Sequence, residues 1–260
     1  MKILFGPAGN VVPGALASIR EVKKMGLDAE EFAFTYSVWM KNDDAMKIKE
    51  ENKKLGIKLS AHAQYWINLN SDDEGKVEAS KKRILKACEK AHYMGAKHVI
   101  FHPGYYGKLS AKETYDRIKK AIDVIQRELK KNGWDDVKLT CETTGKVSQF
   151  GTVEELRQLR EDAGTAICVD FAHLYARSLG TKSYDEIVKQ FKGEKNMHCH
   201  FSGINYGNKG EMSHKVMEKK DIVALLKALK KYDVSCTIIS ESPITYEDSL
   251  KMKKIWEEIK

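Results

Sequence analysis

The stretch CVDFAHLYARSLG, residues 168–180, begins as an apolar strand and then places Asp170 and His173 three residues apart. Side chains alternate along a strand, so positions 170 and 173 would face opposite ways if the strand ran on. Both can serve one site only if the strand stops near Asp170 and the chain turns. A carboxylate and an imidazole meeting at the end of a buried strand are a natural pair of metal ligands.

The same order, an apolar run and then a Lys/Glu-rich amphipathic stretch, recurs along the whole chain. KILFG, EEFAFTY, IKLSAHA, HVIFHPG, VKLTCET, AICVDF, MHCHFSG and CTIISES read as strands. ALASIREVKKMG, DAMKIKEENKKLG, EASKKRILKACEKAHYMG and KETYDRIKKAIDVIQRELKKNG read as the helices that follow the first four. VEELRQLREDAG, SYDEIVKQFKG, KKDIVALLKALKKYD and YEDSLKMKKIWEEIK follow the others. Eight such units in 260 residues match the size of a (β/α)8 TIM barrel, an α/β fold. No stretch has the composition of a linker, so a single domain over residues 1–260 is expected. A doubly wound open sheet shares the alternation, and the count of eight favours the barrel. No G-x-G-x-x-G or Walker A loop follows a strand, which removes the nucleotide-binding form of the open sheet.

Hydrophobic residues make up 42% of the chain and charged residues 32%, the balance of a soluble globular protein. No apolar run approaches the roughly 18 residues of a membrane helix. The opening MKILFGPAGN has too short an apolar stretch for a secretory signal, so a cytoplasmic location is expected, with no membrane contact. Five cysteines (Cys88, Cys141, Cys168, Cys199 and Cys236) form no C-x-x-C pair, and most sit in apolar runs. They read as reduced core residues, not as a disulfide frame or a thiolate metal site. The net charge of +8 permits a polyanionic partner without requiring one. Much of the lysine lies beside glutamate on helix faces, as in KIKEENKK, which is ordinary solvation.

The strand ends carry the chemistry. The third run ends in His62, the fourth in His102, the fifth in Glu142, and the sixth in Asp170 with His173 just beyond. The seventh carries His198 and His200, the loop after it His214, and the eighth ends in Glu241. In a barrel these ends share one rim, the face on which active sites are built. Imidazoles mixed with carboxylates, and no thiolate, suit zinc, manganese or iron. Eight ligands exceed the needs of one ion, so a cluster of two or three is expected. His92 lies in a helix and reads as a packing or surface residue. His98 starts the fourth run near the opposite rim, and His198 lies one step deeper than His200.

In order and spacing, HAQYWINL, FHPG, CETTG, CVDFAH, HFSG, a His-bearing loop and the final strand-end Glu241 resemble the endonuclease IV family of apurinic/apyrimidinic (AP) endonucleases. The resemblance implies a TIM barrel with three zinc ions that cleaves double-stranded DNA 5′ to an abasic site, leaving a 3′-hydroxyl. Manganese is the alternative metal. By matching position, His62, His102 and Glu142 resemble ligands of a first ion. Glu142 resembles the bridge to a second, shared with Asp170, His200 and Glu241, while His173 and His214 match ligands of a third. The same likeness gives Glu142 and Glu241 the catalytic task of orienting the attacking hydroxide. It also marks Tyr65 and Trp66 as residues that enter the duplex beside the lesion. The arginine the family inserts from the second loop is missing from TYSVWMKND, where Lys41 or Trp39 would substitute. The family's Asp-x-His loop pattern is also broken, since the position two before His214 is Met212. Glu211 has the right chemistry one residue early, so a third, more weakly held ion is expected, with Glu211 or water completing its shell. A monomer is expected.

The rival on the same barrel is a sugar isomerase or epimerase holding one Mn2+ or Mg2+ through Glu142, Asp170, His200 and Glu241. It leaves His62, His102, His173 and His214 unexplained.

Overall fold

A computed structural model describes residues 1–259. The first half of the chain runs β1 (Ile3–Pro7), α1 (Ala15–Lys24), β2 (Ala29–Ala33), α2 (Asn42–Leu55), β3 (Lys58–His62), α3 (Glu74–Met94), β4 (His98–Phe101), β5 (Gly104–Tyr105) and α4 (Ala111–Asn132). It continues with β6 (Lys138–Glu142), β7 (Gln149–Phe150), α5 (Val153–Ala163), β8 (Ala166–Asp170), α6 (Phe171–Arg177) and α7 (Tyr184–Lys189). The last elements are β9 (Met197–Phe201), β10 (Gly203–Gly207), β11 (Gly210–Lys215), α8 (Lys219–Lys231), β12 (Cys236–Ser240) and α9 (Thr245–Ile259).

Eight strands form one sheet in the order β1-β12-β9-β8-β6-β4-β3-β2. Their pairing is parallel, with Ile3 opposite Cys236, Cys236 opposite Met197 and Ser60 opposite His98. The two ends of that order meet at a parallel bridge between Ala8 and Glu31, where the Gly9 N–H donates to the Glu31 carbonyl at 2.8 Å. The approach is close enough to require glycine, because a Cβ on Gly6 would lie 2.0 Å from the Ala29 carbonyl oxygen. The sheet therefore closes, and the fold is the expected (β/α)8 TIM barrel.

Helices sit where the apolar period of the sequence puts them. In α4, Ile118, Ile122, Ile125 and Leu129 recur every three to four residues and are buried, while the lysines between them face water. Ser110 and Glu113 close a capping box at its start, and Thr152 and Glu155 do the same for α5. The sequence reading missed α6. It exists because β8 ends at Asp170, whose Oδ1 accepts the His173 backbone N–H at 2.7 Å and so caps a new helix at once. The antiparallel pairs β5–β7 and β10–β11 are further additions, built from what read as loops.

By its internal contacts the chain divides into two compact units. One comprises Met1–Glu31, Gly145–Val147 and the residues from Cys168 onward, with Phe5, Ile19, Phe171, Phe201 and Ile238 in its core. The other comprises Phe32–Thr144 and Ser148–Ile167, packed around Phe34, Ile100, Phe101, Ile122 and Phe150. All five cysteines are buried. Among the described residues no helix is long and apolar enough to cross a membrane.

Candidate metal centre

In the Phe32–Ile167 unit, β3 delivers His62, the residue after β4 delivers His102, and β6 ends in Glu142. One ligand atom from each lies within 4.8 Å of the others. Glu142 is fully buried, and its Oε2 stands 3.2 Å from His62 Nε2 and 2.9 Å from His102 Nε2. His62 Nδ1 is 2.8 Å from the Ala63 carbonyl, which can only accept, so Nδ1 carries the ring proton. In the neutral ring, Nε2 then turns a lone pair toward the Glu142 carboxylate. Two electron-rich atoms at that distance repel unless a cation joins them.

The other unit repeats this arrangement. Asp170, His173 and His214 bring one ligand atom each within 4.8 Å. His214 Nδ1 lies 3.0 Å from the Glu241 carbonyl and carries the proton, so its Nε2 lone pair faces His173 Nε2 at 3.3 Å. His173 Nδ1 in turn stands 3.5 Å from Asp170 Oδ2. Glu211 Oε2 approaches the same His173 Nε2 to 3.5 Å.

The presence of Glu211 there has a definite cause. Residues three apart on a regular strand face opposite ways, which would turn Glu211 away from His214. The β10–β11 ladder pairs Asn205 with Ser213 but Tyr206 with Glu211, leaving Met212 as an extra residue on β11. This bulge flips the phase, so Glu211 and His214 share a face while Met212 is 70% exposed. Gly145 makes room: a Cβ there would lie 2.6 Å from Glu211 Cβ, and its carbonyl accepts the Glu211 N–H at 3.0 Å.

Asp170, His200 and Glu241 form a further set in this unit, with ligand atoms again within 4.8 Å. His200 Nδ1 is 3.4 Å from Glu241 Oε1, and its Nε2 is 2.9 Å from Glu31 Oε1. His198, the deeper of the two strand histidines, contacts the other oxygen of the same carboxylate at 2.8 Å. Glu31 escaped the sequence reading. Its signal was a glutamate at a position of β2 that alternation assigns to the barrel interior. Burial alone would raise its carboxyl, but the His200 and His198 imidazoles outweigh that effect and hold it well below the usual carboxylate range.

The remaining histidines are structural. His98 Nδ1 pairs with Thr140 Oγ1 at 2.9 Å, and His92 Nδ1 with Asp136 at 2.6 Å. Tyr65 and Trp66 are 61% and 58% exposed, and both rings contact Tyr36, with centroids 5.9 and 6.5 Å away. Tyr65 also lies 6.2 Å from His62, ring to ring. Lys41 is exposed at the start of α2. Trp39 packs edge-on against Phe32 and Phe34, and its Nε1–H donates to the Ala33 carbonyl, which holds the ring on the core.

Comparison with known proteins bears on the family and the fold. The family described as xylose isomerase-like TIM barrel matches residues 19–258. An uncharacterised protein of Methanocaldococcus jannaschii is 38% identical over all of this chain and 98% of its own length. An apurinic-apyrimidinic endonuclease of Caenorhabditis elegans is 27% identical, but over 55% of this chain and 37% of that protein. Among solved structures, endonuclease IV from Thermus thermophilus superposes with a TM-score of 0.71 at 18% identity, covering 100% of both chains. A D-tagatose 3-epimerase-like protein reaches 0.70 at 20% identity, covering 99% of this chain and 96% of its own. At such identities both structures speak for the fold alone. With nearly its whole length matched, the chain belongs to the xylose isomerase-like TIM barrel family.

Proposed function

We propose that the protein is a metal-dependent phosphodiesterase that cleaves double-stranded DNA 5′ to abasic sites. The observation that carries this reading is the number of donor sets. His62, His102 and Glu142 form one, and Asp170, His173 and His214 another, beyond the set containing His200 and Glu241. A sugar epimerase needs one ion, and so leaves the first two sets without a task. The nitrogen and carboxylate donors, with imidazole lone pairs turned inward, fit zinc or manganese.

When bound, such ions supply Lewis acidity toward phosphate oxygens and acidify an adjacent water. The chain's own residues do the rest. The Ala63 and Glu241 carbonyls fix the tautomers of His62 and His214, so in the neutral rings Nε2 carries the lone pair. Glu142 would hold an ion together with His62 and His102, and Glu241 orients the attacking water and accepts its proton. Tyr65, exposed beside His62, and the exposed Trp66 offer faces for bases uncovered by the missing one, with Tyr36 supporting both rings.

The test is incubation of the purified protein, without added Mg2+, with a duplex bearing one abasic site. The expected product is a nick 5′ to the lesion with a 3′-hydroxyl end. Interconversion of keto-sugars without nicking would replace this reading with the epimerase one. Failure to nick after loading with zinc and with manganese would remove it.

A further inference from the structure

Beneath the rim, the glutamate on β2 that the sequence reading passed over joins two histidines of β9. The Glu31 carboxylate is fully buried, its Oε1 lying 2.9 Å from His200 Nε2 and its Oε2 2.8 Å from His198 Nε2. His200 therefore stands between two carboxylates, Glu31 on its Nε2 side and Glu241, 3.4 Å away, on its Nδ1 side.

The two contacts differ in kind. Two ligands on one tetrahedral ion, each about 2.0–2.1 Å from it, are roughly 3.3 Å apart. His200 Nδ1 and Glu241 at 3.4 Å, and His173 and His214 at 3.3 Å, have that separation. His198 Nε2 and Glu31 Oε2, 2.8 Å apart, form a hydrogen bond, while His200 Nε2 and Glu31 Oε1 stand at the length of one, 2.9 Å, without its alignment. One pair on the ligand side, His102 and Glu142 at 2.9 Å, is equally short, so what sets Glu31 apart is the hydrogen bond that ties its other oxygen to His198. Glu31 offers its oxygens to two rings that each need an acceptor for an N–H. His198 contacts the second oxygen and keeps the carboxylate from turning.

We propose that Glu31 is a positioning residue: it receives the Nε2 proton of His200 and so fixes the ring with Nδ1 toward Asp170 and Glu241, ready to bind an ion. This rests on the metal-dependent reading above. A carboxylate behind a ligating imidazole also raises the basicity of the ligand, and removing such a partner costs about 10–100-fold in metal affinity. Strand alternation makes the arrangement possible, because it sends Glu31 into the barrel and its neighbour Glu30 out toward α1.

The test uses the whole chain, with zinc as the probe. Affinity is measured by chelator competition in the natural protein, Glu31→Gln and Glu31→Leu. Long-range 1H–15N NMR on the zinc-loaded natural protein then shows which nitrogen of His200 keeps its proton. The expected result is a proton on Nε2 and a 10–100-fold loss of affinity for one ion in Glu31→Leu. Glu31→Gln, whose amide oxygen still accepts, should recover most of that loss. A packing role would show the reverse, since Leu keeps the volume and stays apolar. A His200 proton on Nδ1 overturns the proposal, as does unchanged affinity in Glu31→Leu, or an additional zinc bound by Cys168, His198 and His200, whose ligand atoms also lie within 4.8 Å of one another. The NMR result stands even if neither variant folds. A natural protein that binds no zinc or manganese would defeat the functional reading itself, whereas metal binding and DNA cleavage with indifferent Glu31 variants would defeat this inference alone.

Discussion

Glu30 and Glu31 are consecutive, yet the barrel gives them opposite charge states, and Glu30 allows a quantitative test. Its side chain is fully buried against α1, where Ser18 Oγ donates to its Oε1 at 2.6 Å. Among the described residues no hydrogen bond reaches its Oε2. Burial pushes the carboxyl from 4.5 up to about 8, with the Ser18 bond offsetting only part of that. The folded protein therefore holds a proton that the unfolded chain releases near pH 4.5. Stability from this group is fully present below that pH and is lost as pH rises toward about 8. At 1.36 kcal/mol per unit, the whole window is worth about 4–5 kcal/mol, a large share of the roughly 5–15 kcal/mol that holds a domain folded. Glu30→Gln keeps the shape and removes the titration. Urea unfolding of both proteins at pH 5 and pH 8 isolates the effect, because all other groups cancel in the difference. The variant's advantage over the natural protein should be about 3.5 kcal/mol larger at pH 8 than at pH 5. A difference that does not change with pH refutes the reasoning, because it means Glu30 ionises as freely in the folded state as in the unfolded one.

Three further outcomes are expected. Glu142→Gln, which keeps the shape but removes the charge facing His62 and His102, should slow cleavage of an abasic duplex by about 10³-fold or more, with circular dichroism unchanged. Glu211→Ala should lower the zinc content of the purified protein, and the mismatch should vanish in excess zinc; equal content in both proteins would exclude Glu211 as a ligand. Finally, β2 and β8 each contribute residues to both compact units. Residues 1–260 should therefore unfold in a single calorimetric transition, as one domain, and two resolved transitions would show otherwise.

The barrel was legible because eight alternations of apolar run and amphipathic helix leave few other folds of this length. His62, His102, Glu142, Asp170 and Glu241 stood out because a titratable group closing an apolar run is conspicuous. Glu31 was harder to see. A glutamate inside a strand normally marks a solvent-facing position, and only closure of the barrel makes that face an interior. The caps behave likewise: Asp170 was visible as a ligand, while its hydrogen bond to the His173 backbone, which starts α6, depends on where β8 stops. Glu211 was assigned by its chemistry, but the reason it can reach His173 lies in a pairing between β10 and β11 that no local pattern announces.

That pairing has an evolutionary consequence. On an unbulged β11, a carboxylate would share a face with His214 if it stood two residues earlier; on the bulged strand it must stand three earlier. The two layouts are alternative spellings of one ligand set, separated by coupled changes in sequence and backbone. Moving the carboxylate without the bulge, or removing the bulge without moving the carboxylate, passes through an intermediate that has lost a donor. Relatives are therefore expected to fall into two discrete groups at this hairpin. Aligning them column by column would pair Met212 with a ligand it does not replace.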